Sequence, residues 1–205
     1  VAVNSGTTAL QILLMLSIKT KNSLVAVPTN TNFATVAAIL YAGGKPFYLD
    51  MDEKFFAPKY DDFLYFYKKY KFKGIVWVHI GGIISPDFLK VRNFCNKKKL
   101  FLIEDCAHAH GSSIKGINAG AKSTGGAFSF FPTKVMTTME GGMITTNDES
   151  IYNFIDIDLR GELSIPQLIQ LIGNNKIKGV ISYDNFIMHL SGMFNKKAYI
   201  LFRGR

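Results

Sequence analysis

Short apolar runs rich in Val, Ile, Leu and Phe alternate along this chain with longer segments in which apolar residues recur every three or four positions. The short runs, residues 24–27, 47–49, 74–78, 101–103, 127–130 and 143–145, predict strands, because β-branched and aromatic side chains suit a pleated surface buried on its faces. The longer segments, residues 7–17, 31–42, 60–70, 87–98 and 148–158, predict helices. The first of them repeats Leu10, Leu13, Leu14 and Leu16, and several close in Gly or Lys, as helix C-termini do. Strands separated by helices predict an α/β fold, a three-layer sandwich with a mostly parallel central sheet. Ligands of such sheets bind beyond the carboxyl ends of the strands, so polar residues that directly follow a strand are the first candidates: Asp105, and the stretch Pro28-Thr29-Asn30.

The pattern loosens after residue 159, where residues 165–172, 179–181 and 199–202 are apolar without a repeating unit. We expect a domain over residues 1–160 and a distinct tail over 161–205, a helix plus a strand laid on the domain edge and too short for a second full domain. Repeats, low-complexity tracts and Pro-rich linkers do not occur.

Composition narrows the function classes. At 205 residues and 48% hydrophobic, the chain can bury a substantial core, and it contains no run of the ~20 apolar residues a membrane helix requires. The net charge of +9 raises the question of nucleic acid. The Lys residues, however, cluster as Lys68-Lys69 with Lys71 and Lys73, and as Lys97-Lys98-Lys99, each beside apolar positions at helical spacing. That placement reads as solvated helix faces, so neither nucleic acid nor membrane is expected as a partner. Two cysteines, Cys95 and Cys106, make no disulfide framework and no paired metal spacing, which fits a reducing, cytoplasmic setting. The opening Val1-Ala2-Val3-Asn4-Ser5-Gly6 carries no initiator Met and no leader pattern, and reads as a chain entered partway through a domain.

Three segments carry candidate chemistry. Ser5-Gly6-Thr7-Thr8-Ala9-Leu10 opens the first helix with small polar residues, where unpaired N–H groups and the positive dipole end suit either ordinary capping or a phosphate. Leu102-Ile103-Glu104-Asp105-Cys106-Ala107-His108-Ala109-His110-Gly111 ends a strand in a carboxylate followed by two imidazoles. Asp105 there suits a metal ligand, a general base or the partner of a cofactor's protonated ring nitrogen. Metal is the weakest of the three, because His108 and His110 stand two apart, which suits opposite faces of an extended segment; His110 reads as a packed, hydrogen-bonded structural histidine. Ala127-Phe128-Ser129-Phe130-Phe131-Pro132-Thr133-Lys134, followed by Glu140-Gly141-Gly142, places a lysine just beyond an aromatic strand, with Pro132 fixing its exit. Lysines in apolar and aromatic settings serve as amine nucleophiles toward aldehydes.

These segments, in this order, resemble the DegT/StrS family of sugar-nucleotide aminotransferases that use pyridoxal 5'-phosphate (PLP), within the aspartate aminotransferase superfamily of fold type I. The resemblance extends to residues 25–35, to Tyr41-Ala42-Gly43-Gly44-Lys45-Pro46, to Asp50-Met51-Asp52 and to Val78-His79-Ile80-Gly81-Gly82, and covers roughly residues 1–160. It implies that Lys134 is the Schiff-base lysine, that Asp105 keeps the pyridine nitrogen protonated, and that Thr7, Thr8 and Ser129 form the phosphate cup. It places His108 near the ring and its 3'-oxygen, where the family carries Gln or His, and Asn32 where many members stack an aromatic side chain on the ring. It further implies transamination of a keto group on a nucleotide-linked deoxysugar, with a donor such as glutamate, in a homodimer whose second subunit adds a phosphate contact. The related dehydratases carry a histidine in place of the lysine, so Lys134 points to amination.

The sequence departs from the family beyond Asp158-Leu159-Arg160-Gly161, where residues 162–205 do not match the usual small domain, truncated or degenerate here, and at the start, where members carry a preceding segment. The competing expectation is a catalytically inactive PLP-binding homologue or assembly partner.

Overall fold

The computed structural model describes the backbone of residues 1–155, 179–183 and 197–201 and the side chains of residues 1–153. Val1–Asp156 forms one compact unit and Ile157–Arg205 a second. The first unit is built on β1 (Ala2–Val3), α1 (Gly6–Ser17), β2 (Leu24–Pro28), α2 (Phe33–Tyr41), β3 (Lys45–Leu49), α3 (Tyr60–Tyr70), β4 (Gly74–Val78), α4 (Asp87–Lys98), β5 (Phe101–Asp105), β6 (Ser113–Ile114), β7 (Ile117–Asn118), β8 (Gly125–Ser129), β9 (Gly142–Thr145) and α5 (Glu149–Ile155).

Seven strands form one sheet in the order β1-β9-β8-β5-β4-β2-β3. Neighbours pair in parallel from β3 across to β8, and β9 runs antiparallel to both β8 and β1. This is the α/β fold with a mostly parallel sheet that the alternation predicts. The chain leaves β2 outward to β3 and then returns to the other side of β2 as β4, so the sheet has a switch in strand order there, and its ligand face is the carboxyl edge of these strands.

Alternation along β5 assigns its residues to two layers. Leu102 belongs to a core cluster with Trp77, Phe63, Phe72, Phe88, Val91 and Cys95, supplied by β4, α3, the α3–β4 connection and α4. Fully burying each Phe of that set stabilises the fold by roughly 1.5–3 kcal/mol. Asp105 faces the opposite layer, where α2 reaches it through Thr35. The Lys clusters sit at helix ends: Lys68 and Lys69 in the last turn of α3 with Lys71 left-handed beyond it, and Lys97 and Lys98 in the last turn of α4 with Lys99 likewise. Cations there complement the negative end of the helix dipole.

Element bounds shift for local reasons. Helix α2 starts at Phe33 because Asn32 Oδ1 accepts from the Ala34 N–H at 2.9 Å and caps it. Strand β8 starts at Gly125, two residues before the apolar run, because this strand passes under other chain segments: a Cβ at Gly125 would lie 2.4 Å from Leu13 Cδ2, and one at Gly126 2.5 Å from Gly120 Cα. Pro46 is accommodated in β3 because β3 is a sheet edge. The β6–β7 hairpin, unanticipated, turns on Lys115 and Gly116, both with positive φ.

In the second unit, β10 (Gly179–Tyr183) and β11 (Lys197–Leu201) pair in parallel. The apolar piece at 165–172, and the last residues of the helix expected over 148–158, lie outside the described residues.

Candidate active site

The carboxyl ends of β5 and β8 bring the three chemistry-bearing segments together. Asp105 pairs in register with Ala127, and Ser129 stands two residues farther along β8. Strand spacing and rise put the Asp105 and Ser129 backbones about 8 Å apart. Asp105 is 6% exposed and held at both oxygens: Oδ2 accepts from Thr35 Oγ1 at 2.7 Å and Oδ1 from the Ala107 N–H at 3.1 Å. Thr31 Oγ1 in turn donates to Thr35 Oγ1 at 2.8 Å, so the loop after β2 and the first turn of α2 orient the carboxylate.

Ser129 meets the start of α1. A Cβ at Gly6 would lie 2.7 Å from Ser129 Cβ, and one at Gly142 2.3 Å from the Ser5 carbonyl, so glycines at both places let the β8–β9 connection close on the helix N-terminus. Ser5 caps α1: its Oγ accepts from the Thr8 N–H at 3.1 Å and lies 3.0 Å from Thr8 Oγ1. The buried Thr8 hydroxyl is thus engaged by the cap, while the Gly6 and Thr7 N–H groups belong to the first turn, which has no intrahelical acceptors.

Lys134 is half-buried, with its Nζ 3.0 Å from His108 Nε2. His108 Nδ1 accepts from the Gly81 N–H at 3.3 Å. Partial burial and the nearby Lys134 push the pKa of His108 below its ordinary 6.5, against the pull of Asp105. His110 packs between the rings of Phe128 and Phe130, at 5.5 and 5.4 Å, the packed position expected of it. Asn32 is exposed at the start of α2 with its Oδ1 used in capping, and the adjacent Phe33 is 79% exposed.

Sequence reasoning missed four features. Thr35 stood inside a quoted motif without a role, and only α2 packing reveals that it reaches Asp105. Gly81 serves through its backbone. The close approach of Gly6 to Ser129 is visible only in three dimensions. Finally, His79 Nε2 and Glu104 Oε2 form a fully buried pair at 2.9 Å, with the Gly120 N–H donating to the same oxygen at 2.9 Å. A histidine after one strand and a glutamate near the end of its neighbour were the available signal.

Among the described residues, His79, Glu104 and Cys106 are the one group of three metal-type donors, within 4.8 Å of one another. Burial, with Glu104 and Asp105 nearby, pushes the Cys106 thiol well up, which opposes the thiolate a metal needs; the set is built as a hydrogen-bonded pair beside a thiol.

The family model for DegT/DnrJ/EryC1/StrS aminotransferases matches residues 1–162. The chain belongs to this family. It is 38% identical over 152 residues to GDP-perosamine synthase of Escherichia coli O157:H7, a match covering 74% of this chain and 41% of that protein. Among solved structures, an aminotransferase from Psychrobacter cryohalolentis superposes with a TM-score of 0.68 at 34% identity, over 74% of this chain and 38% of that one. The E. coli GDP-4-keto-6-deoxy-D-mannose-3-dehydratase, solved with hydrated PLP, gives a TM-score of 0.69 at 25% identity, over 76% of this chain and 41% of the other. The chain spans about two fifths of the length of these family relatives. Among the described residues no helix is long and apolar enough to cross a membrane.

Proposed function

We propose that this chain holds PLP at the carboxyl ends of β5 and β8 and forms the cofactor-binding part of a nucleotide-sugar aminotransferase. The observation that carries the reading is the meeting of Lys134 Nζ and His108 Nε2, 3.0 Å apart, on the strand ends that also carry the buried carboxylate of Asp105.

The residues fit the cofactor. A cradle where α1 closes on Ser129 exists only because position 6 lacks a Cβ, and the Gly6 and Thr7 N–H groups at that helix start have no intrahelical acceptors. When bound, PLP supplies an aldehyde carbon and an electron-withdrawing pyridine ring. The Lys134 amine would be the nucleophile toward that carbon and the group that carries a proton at Nζ. Asp105, fixed by Thr35 and Ala107, would keep a proton on the ring nitrogen. Gly6, Thr7 and Ser129 would hold the phosphate, with Thr8 acting through the Ser5 cap, and Asn32 and His108 would border the ring.

A nucleotide-linked keto sugar as acceptor extends the reading by likeness to the relatives' names, and glutamate or a similar amino acid as donor is what transamination by such a site requires. A homodimer is supported by the exposed apolar side chains around the site, Phe33, Phe131, Val135, Met136 and Met139, which a second subunit would cover. The free, buried cysteines support a cytoplasmic setting.

Incubation with PLP, reduction with borohydride and peptide mass spectrometry test the reading. A reduced PLP adduct on Lys134, absent from Lys134→Ala, is the expected result; an adduct on other lysines with none on Lys134 refutes it. A trapped adduct that glutamate fails to discharge would favour cofactor binding without turnover.

A further inference from the structure

We infer that the backbone N–H of Gly81 locks the His108 imidazole in a single tautomer, bare at Nδ1 and protonated at Nε2, so that His108 donates a hydrogen bond to the Lys134 amine instead of taking its proton. The tautomer itself stands on hydrogen-bond geometry; its catalytic meaning rests on the proposed role of Lys134.

A backbone N–H can only donate, so the 3.3 Å contact from Gly81 requires a lone pair on His108 Nδ1. Partial burial holds the ring below its ordinary 6.5, so the neutral imidazole predominates at pH 7. A neutral imidazole that accepts at Nδ1 carries its proton on Nε2, the nitrogen 3.0 Å from Lys134 Nζ. An ammonium has three donors and no acceptor, whereas a free amine offers a lone pair to Nε2–H. The free amine, the form that attacks an aldehyde, is therefore the form of Lys134 that this tautomer can hydrogen-bond, and the neutral His108 cannot act as base toward that nitrogen.

The turn that aims Gly81 is built for the purpose. Gly81 and Gly82 both have positive φ, 61° and 77°, and a Cβ at Gly82 would lie 2.8 Å from the His108 carbonyl oxygen. The turn starts from His79, which is fixed twice: its N–H donates to the Asp105 carbonyl at 3.1 Å, and its ring holds Glu104 in the core. The buried pair thus positions the donor that sets the tautomer. A glutamine at position 108 has the same two faculties, a carbonyl oxygen for Gly81 and an N–H for Lys134; a glutamate can only accept on both sides.

Long-range proton–nitrogen NMR of the histidine-labelled, cofactor-free chain reads the tautomer directly, with the His108 signal assigned by its loss in His108→Gln. The expected pattern is an unprotonated Nδ1 and a protonated Nε2, retained in Lys134→Ala; a protonated Nδ1, or an even mixture, overturns the inference. Carbamylation of Lys134 by cyanate at about pH 8, followed by peptide mass spectrometry, reads the polarity. His108→Gln should react like the parent, and His108→Glu about tenfold more slowly, because a carboxylate favours the ammonium by about one pKa unit. Equal slowing in both variants also overturns it. Failure of borohydride to fix PLP on Lys134 would refute the proposed function while leaving the tautomer result to stand.

Discussion

Replacing Thr35 with valine separates a hydrogen bond from the space it fills. Thr35 is fully buried and its Oγ1 donates to Asp105 Oδ2 at 2.7 Å, while Asp105 is 6% exposed. Valine keeps the shape of the side chain and removes the donor, so the carboxylate oxygen stays desolvated without this partner, and Thr31 Oγ1 loses its acceptor at 2.8 Å. A hydrogen bond to a charged group contributes ~1.5–3 kcal/mol. In a chain of this size each kcal/mol moves the midpoint of thermal unfolding by ~2–4 °C, so Thr35→Val should unfold roughly 3–12 °C lower. Thr35→Ser keeps the hydroxyl and loses one buried methyl, at a cost of about 1 kcal/mol and hence ~2–4 °C. Thermal unfolding followed by circular dichroism on the three proteins in parallel decides the matter. A serine variant less stable than the valine variant would mean that packing of the methyl, not donation to Asp105, makes this position matter.

His108 and His110 both titrate below 6.5, chiefly through partial burial, so the unfolded chain binds more protons than the folded one between those lowered values and 6.5. Their contribution to stability is therefore complete above 6.5 and is lost as pH falls through the folded values; His110→Asn should flatten the decline between about pH 7 and pH 5 in denaturant titrations, and an unchanged slope would count against it. Burial pushes the Cys95 thiol up to about 12 and Cys106 up as well, so a thiol-specific reagent should leave both untouched in the native chain and label both in denaturant. Rapid native labelling would contradict their placement in the core. Gly6→Ala would force a Cβ to within 2.7 Å of Ser129 Cβ, which should cost ~1–3 kcal/mol and weaken PLP binding measured by absorbance titration. Unchanged affinity with a clear loss of stability would remove the α1–Ser129 cradle from the proposed phosphate site.

The α/β alternation was legible because the inner parallel strands are short, apolar and buried on both faces, as in β4, where every residue from Gly74 to Val78 is buried. The bounds that escaped follow from tertiary neighbours. Gly125 and Gly126 have poor strand propensity, and only the closeness of Leu13 and Gly120 explains why no larger residue belongs there. The chain start was likewise opaque: Ala2–Val3 is too short to carry a period, and its strand exists because it pairs with β9.

At the site, the sequence by itself determined the residue types and their order: a capped helix start, a strand ending in Asp105, and a lysine leaving an aromatic strand. Those are local facts, set by propensity, capping and turn chemistry. What each group faces was decided only by the tertiary structure, because β5 and β8 are adjacent in the sheet, α2 carries Thr35 over Asp105, and the turn after β4 points a backbone N–H at His108. Hydrogen-bond partners separated by 26, 27 or 70 residues, as here, depend on the path of the whole chain, and no local pattern encodes that path.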